Sequence, residues 1–249
     1  MTPAAPPKTR CLNGRFDPLT LSETVDAIFS VLAAGRRGWL CTVNVAILMM
    51  MRTDARLQAF VERAALTVAD GQPLVWLARL LGERLPERVA GIDLVDRVCA
   101  RAAREGKRVY LLGATREVVA EAAKRLRARH AGLRIDYADG YFAPHEATAR
   151  AARVRAAGAQ ILFVGMGVPR QERFLEEQWE TLRVGMAIGV GGSFDVIAGL
   201  RARAPAWVQS IGMEWFFRMV QEPRRLFHRY RVTNSQFLRL ALDELLKAH

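Results

Sequence analysis

The chain has 249 residues, 51% of them apolar, and a formal net charge of +12. That length and apolar content supply a core for one large domain, or one domain with an appendage, and exclude a disordered or fibrous chain. The charge points to an anionic partner such as nucleic acid, anionic lipid or a phosphorylated substrate, although most of the arginine lies in alanine-rich helical stretches and reads as solvated surface.

Residues 1–12, with the opening MTPAAPPKTR, lack the apolar core of a signal peptide and read as a short disordered tail. Cys11, Cys41 and Cys99 are odd in number and have no metal-ligand spacing, which fits free thiols in a reducing, cytoplasmic setting. No run of about 18 apolar residues occurs, so no membrane span is expected.

Leu21–Ala34 has apolar residues at helical spacing, with Ser22 placed to cap it, and Gly35 and Gly38 end it. Trp39–Val43 reads as a strand closing on Thr42 and Asn44, followed by one long helix from about Val45 to Ala64. Leu66–Ala69 is a short buried strand that runs into Asp70-Gly71-Gln72-Pro73. Asp70 is either a catalytic carboxylate at a strand exit or the cap of the helix beginning near Pro73. Thr42, Asn44 and Asp70 share one sheet edge if the two strands are parallel neighbours.

Asp93 reads as the N-cap of a helix Leu94–Arg104, with a ligand role as the alternative. Arg108–Leu112 and Leu133–Tyr137 are strands around a helix Glu117–Arg129, and Glu146–Ala157 is the next helix. Ile161–Val164 is an apolar run bounded by glycine, the pattern of a strand buried on both faces. Gly165 and Gly167 follow, and Pro169 suits the first turn of a helix that continues through Gln171. A strand, a glycine turn and a helix N-terminus are how open α/β sheets hold phosphates and nucleotides, although the same turn also occurs with no ligand. Gln171 at its mouth, and the similar loop Gly189–Asp195 with Gly191 and Gly192, favour a ligand.

This alternation predicts a Rossmann-like α/β fold, a mostly parallel sheet with helices on both faces. After Gly199 the character changes to basic, aromatic helices. Trp207, Val208, Ile211, Trp215, Phe216 and Met219 lie on the first stretch, Glu222-Pro223 breaks it, and an arginine-rich second helix runs to Leu245. Such a pair suits an anionic membrane interface, and packing of the aromatics onto the sheet domain is the alternative. The expected division is a tail over 1–12, an α/β domain over 13–203 and a basic amphipathic helical appendage over 204–249.

No P-loop, no GxGxxG turn, no Asp-x-Asp pair and no metal-spaced His or Cys set is present. The missing glycine fingerprint counts against a dehydrogenase or other nucleotide-binding protein of the doubly wound class. The missing reading module counts against a nucleic-acid binder.

Several segments together carry a resemblance. They are Thr42-Val-Asn44, Ala69-Asp70-Gly71, Leu112-Gly113, Asp139-Gly-Tyr-Phe142, Val164-Gly-Met-Gly-Val-Pro-Arg-Gln-Glu172 and Gly191-Gly-Ser-Phe-Asp195, with Glu214-Trp215, Arg218, Glu222-Pro-Arg-Arg-Leu226 and Arg229-Tyr230 in the tail. In this combination the chain resembles the WecG/TagA/CpsF family of bacterial glycosyltransferases, from about Asn13 to Leu240. The resemblance implies an inverting, metal-independent enzyme without cofactor. It would move a hexose (N-acetylmannosamine, its uronic acid or glucose) from a UDP-sugar to a polyprenyl-diphosphate-linked sugar. The work would be on surface polysaccharides, at the cytoplasmic face of the inner membrane. It implies Asp70 as general base with Thr42 and Asn44 lining the pocket. Gly165, Gly167, Pro169 and Gln171 would hold the donor, with Gly191, Gly192 and Asp195 near the nucleotide. Arg218, Arg224, Arg225 and Arg229 would bind phosphate, with the tail docked at an anionic membrane surface and no nucleic acid involved.

Overall fold

The structure, a computed structural model, describes residues 7–248, apart from the side chains of Ala206, Ser210, Arg224, Arg225, Arg229 and Ala248. In chain order its elements are β1 (Thr9–Cys11), β2 (Gly14–Phe16), α1 (Leu21–Ala33), β3 (Gly38–Val43), α2 (Val45–Met51), α3 (Ala55–Glu62), β4 (Leu66–Ala69) and α4 (Gln72–Leu80). Next come α5 (Gly91–Arg104), β5 (Arg108–Gly113), α6 (Arg116–Arg129), β6 (Arg134–Ala138), a 3-10 turn at Pro144–Glu146 and α7 (Ala147–Ala156). Then follow β7 (Ile161–Gly165), α8 (Arg170–Leu182), β8 (Met186–Gly189), α9 (Ser193–Ile197), α10 (Ala206–Ser210), α11 (Glu214–Gln221) and α12 (Pro223–Ala248).

The fold is mixed α/β. A six-stranded sheet has the order β4-β3-β8-β7-β5-β6, helices flank it, and further helices follow at the C-terminal end. The chain divides into two compact units. One comprises Met1–Leu21, Val43–Ala90 and Arg203–His249, the other Ser22–Thr42 and Gly91–Ala202.

In the second unit the pairings β3-β8, β8-β7, β7-β5 and β5-β6 are all parallel. The central strand β7 is buried from Ile161 to Val164, because it has a sheet neighbour on each side and helices above and below. Two helix sets cover the sheet: α5 and α6 pack with α9, and α7 packs with α8. The register pairs Gly113 with Gly165 and Val164 with Gly189, so these strands end level at one edge. The loops that follow therefore gather at the carboxyl ends, where sheets of this kind take ligands.

In the first unit β1 and β2 form an antiparallel hairpin, α4 packs on β1, β2 packs on β4, and α12 packs on α2. The first strand of the hairpin lies within the stretch 1–12 expected to be a tail: Thr9 and Cys11 are buried, and the Thr9 hydroxyl donates to the Arg84 carbonyl (2.7 Å). Residues 1–6 of that expected tail lie outside the described residues. The three cysteines are free and buried, and burial pushes the Cys11 thiol up to about 12 and the Cys99 thiol up as well.

Three local expectations are corrected. The helix expected over 45–64 is two helices, because Asp54 interrupts it: its Oδ1 accepts from the Leu57 N–H (3.0 Å) and caps α3. Helix α1 starts at Leu21, whose N–H donates to Glu87 Oε1 (2.5 Å), so a carboxylate distant in sequence meets its first turn and Ser22 is internal. Helix α5 starts at Gly91, which places Asp93 inside the first turn, where a negative charge suits the helix dipole, and not at the cap. Asp54→Ala is expected to cost about 1 kcal/mol through the lost cap, read as a shift in the urea midpoint; an unchanged midpoint would contradict the capping role.

Candidate active site

In the first unit, Asp70 follows the last residue of β4, and its N–H donates to the Val43 carbonyl (2.9 Å). That bond sets Asp70 beside Asn44, the residue after Val43. The neighbouring Gly71 packs closely there: a Cβ on it would stand 3.8 Å from both Cα and Cβ of Asn44. Asn44 caps α2, its Oδ1 accepting from the Ile47 N–H (3.1 Å), which leaves its amide nitrogen as the group able to face a ligand. The N-cap of α4 is Gly71, with no side-chain capping bond, and the helix takes Pro73 in its first turn. The capping position that the sequence leaves open to Asp70 is thus occupied by a glycine.

A third chain segment meets the same strand end. The Val89 N–H donates to the Ala69 carbonyl (2.9 Å), which brings Arg88 alongside. The Arg88 guanidinium pairs with Glu214 at the start of α11, and its Nη2 lies 3.5 Å from Gln209 Oε1 in α10. Both members of the pair are largely buried. The turn before α11 packs against α4 so tightly that a Cβ on Gly212 would lie 2.7 Å from the Trp76 ring and 3.0 Å from Gln72 Cβ. The C-terminal helices are thus fastened where β4 ends, and half-buried Arg218 belongs to α11. Arg224, Arg225 and Arg229 fall in α12, but their side chains lie outside those described. Sequence reasoning missed Arg88 and Glu214 as partners: Arg88 sits in an aperiodic loop, and nothing local points to a residue 126 positions away.

In the second unit, the loops after β7 and β8 lie together. Gly165 is required by space, since a Cβ there would stand 2.7 Å from the Phe194 ring and 2.8 Å from the Gly191 carbonyl oxygen. Gly167 (φ +79°) and Gly191 (φ +51°) are required by backbone, because both adopt the left-handed conformation and have open space at the Cβ position. Pro169, after a cis Val168–Pro169 peptide, is the N-cap residue of α8. Three side chains hold the loop after β8. The Thr42 hydroxyl donates to the Gly189 carbonyl (2.9 Å), the Gly191 N–H donates to Gln171 Oε1 (3.2 Å), and the Ser193 hydroxyl donates to the Val190 carbonyl (2.7 Å). Gly192 is the N-cap of α9, and Asp195 lies half-buried in that helix.

Two of the expected site residues thus act within the protein. Thr42 is buried with its hydroxyl on Gly189, and Gln171 is 3% exposed with both ends of its amide engaged, its Nε2 donating to Glu172 Oε1 (2.8 Å). Glu172 was not singled out from the sequence. It is buried, its Oε2 has no hydrogen-bond partner, and burial pushes its carboxyl up from 4.5 to about 7. Among the described residues, no group of three or more His, Cys, Asp or Glu stands ready to hold a metal ion, and no helix is long and apolar enough to cross a membrane.

Glycine loops at the carboxyl ends of parallel strands, as after β7 and β8, are the layout in which open α/β sheets take ligands. The family model described as "Glycosyl transferase WecG/TagA/CpsF family" matches residues 9–249. The chain belongs to this family. It is therefore a glycosyltransferase, with a sugar donor and an acceptor as its substrates, in a family that serves cell-surface polysaccharide biosynthesis.

Glu172 gives a pH signature. Its folded value lies above the ordinary one, so its favourable contribution is complete below about pH 4.5 and is lost as the pH rises through about 7. At about 1.4 kcal/mol per pH unit, the loss is on the order of 3 kcal/mol. Glu172→Gln, which cannot ionise, should gain stability on the parent between pH 4.5 and 8 in chemical unfolding; a constant difference across that range would contradict the burial of an ionisable carboxyl.

Proposed function

We propose that the protein is an inverting, metal-independent hexosyltransferase. It moves a hexose such as N-acetylmannosamine, its uronic acid or glucose from a UDP-sugar to a sugar on a polyprenyl diphosphate. The observation that carries this reading is the gathering at the end of β4: Asp70 beside Asn44, with Arg88 alongside and the C-terminal helices fastened there by Glu214.

Asp70 takes the proton of the acceptor hydroxyl as that oxygen attacks the anomeric carbon. The bond from the anomeric carbon to the UDP oxygen breaks as the new glycosidic bond forms on the opposite side, which inverts the configuration. The transition state is oxocarbenium-like, and the departing diphosphate gains negative charge. Backbone N–H groups at Gly165–Val168 and at Gly192 hold the donor, with Pro169 and Gly191 shaping the two loops and Asp195 near the nucleotide. Arg218, Arg224, Arg225 and Arg229 meet phosphate charge on UDP or on the lipid diphosphate. Gln171 and Thr42 serve by holding the loop after β8.

Asp70→Asn should keep the parental melting temperature and lose transfer by about a hundredfold or more, the scale of a general base. Near-parental turnover on a competent donor and acceptor pair would refute the assignment.

The acceptor lipid calls for work at the cytoplasmic face of the inner membrane. We read the C-terminal helices as the docking element on anionic lipid. Trp215 and Trp207 have different environments. Trp215 is half-buried and edge-on to Tyr230 (5.7 Å between centroids), whereas Trp207 is 67% exposed, with Ile211, Phe216, Val220 and Phe227 also exposed nearby in sequence. Trp207→Ser combined with Ile211→Ser should reduce co-sedimentation with phosphatidylglycerol vesicles several-fold and leave the fold intact; undiminished co-sedimentation would remove these residues from the membrane contact.

A further inference from the structure

Two consecutive buried residues at the start of α8 face the loop after β8. Gln171 Nε2 donates to Glu172 Oε1 (2.8 Å), and Gln171 Oε1 accepts from the Gly191 N–H (3.2 Å). An ionised carboxylate only accepts, so the amide nitrogen must point to Glu172 and the amide oxygen to Gly191. A flipped amide would set an N–H against the Gly191 N–H. When Oε2 carries a proton, Oε1 still accepts, so the same orientation holds in either state. The space around the pair is closed, since a Cβ on Gly189 would lie 2.7 Å from Gln171 Nε2 and 3.7 Å from Glu172 Oε1.

A second observation sets Glu172 apart from ordinary packing. The residue is 8% exposed, yet its Oε2 has no hydrogen-bond partner. A buried polar atom left unsatisfied is costly, and an apolar side chain of similar size would remove that cost. Packing alone does not explain a carboxyl here.

We propose that Glu172 is a positioning residue for the donor: by fixing the orientation of the Gln171 amide it holds the Gly191 N–H, and with it Gly189–Gly192, in the conformation that receives a nucleoside diphosphate. The assignment of that loop to the donor rests on the proposed function. The other end of the loop is held independently, by the Thr42 hydroxyl on the Gly189 carbonyl. Loss of Glu172 therefore loosens the Gly191 end selectively, and its effect falls on donor binding, not on acceptor binding.

The test compares full-length parent, Glu172→Leu and Glu172→Gln in two measurements. One is amide hydrogen exchange of the segment 189–192 without substrate. The other is transfer from a UDP-hexose to a short-chain lipid-diphosphate sugar, with KM resolved for each substrate. Glu172→Leu should melt at or above the parental temperature, exchange faster at 189–192, and raise donor KM about tenfold, the scale of one lost hydrogen bond, with acceptor KM unchanged. Glu172→Gln, whose carbonyl still accepts from Gln171, should restore slow exchange and the lower donor KM. Parental exchange and parental donor KM in Glu172→Leu would overturn the proposal, as would Glu172→Gln being as impaired as Glu172→Leu. If Glu172→Leu does not fold, Gln171→Met removes the same link, and unchanged exchange at 189–192 in that variant overturns the proposal equally. Failure of the parent to transfer from any UDP-hexose would refute the donor reading and leave the exchange comparison to decide the positioning role by itself.

Discussion

Parallel strands that end level at one edge hand their chain to loops whose backbone groups have lost the sheet as partner. In this glycosyltransferase the loop after β8 meets that need with side chains. Thr42 satisfies a carbonyl, Gln171 an N–H, and Ser193 a second carbonyl. Three contacts on so few residues over-determine the backbone, which is what a loop needs if its N–H groups are to meet a phosphate without first reorganising. The glycines answer a different demand. Gly165 makes room for Phe194 and for Gly191, whereas Gly167 and Gly191 supply backbone conformations that a side chain disfavours.

The end of β4 has its own fastening. The Arg88–Glu214 pair is largely buried, and such a pair contributes little net stability once desolvation is counted. Its more specific effect is geometric, because the fork of a guanidinium fixes the start of α11 against the segment that hydrogen-bonds Ala69. Gly212 on Gln72 and Trp76 adds a steric constraint at the same place. The C-terminal helices are therefore set by particular contacts, and their exposed apolar residues at Trp207, Phe216 and Val220 are what those contacts leave uncovered.

Much of this architecture was legible in the chain. The glycine-bounded apolar runs at Ile161–Val164 and Leu66–Ala69 gave strands at those positions, because a short run without alternation is what a doubly covered strand looks like. Boundaries were harder. Asp54 stops a helix that apolar spacing alone would continue, and α1 is met by Glu87, a residue far along the chain that no local pattern announces. The same limit applied to the site. In the sequence Asp70 stands out because it ends a strand and Gln171 because it sits at a glycine turn, whereas the fold spends the Gln171 amide on Gly191 and Glu172. Motif position shows that a polar residue belongs near a loop; only the fold shows which of its atoms are already engaged. Arg88 had no periodicity or motif to mark it, and its significance lies entirely in a contact with Glu214.

The central claim is that the glycine loops after β7 and β8 hold a nucleotide diphosphate. The most direct measurement is a crystal structure of the full-length protein with UDP bound. The expected result places the diphosphate oxygens within hydrogen-bond distance of backbone N–H groups in 165–168 or of the Gly192 N–H. UDP bound away from both loops, or no binding at millimolar UDP, would contradict it.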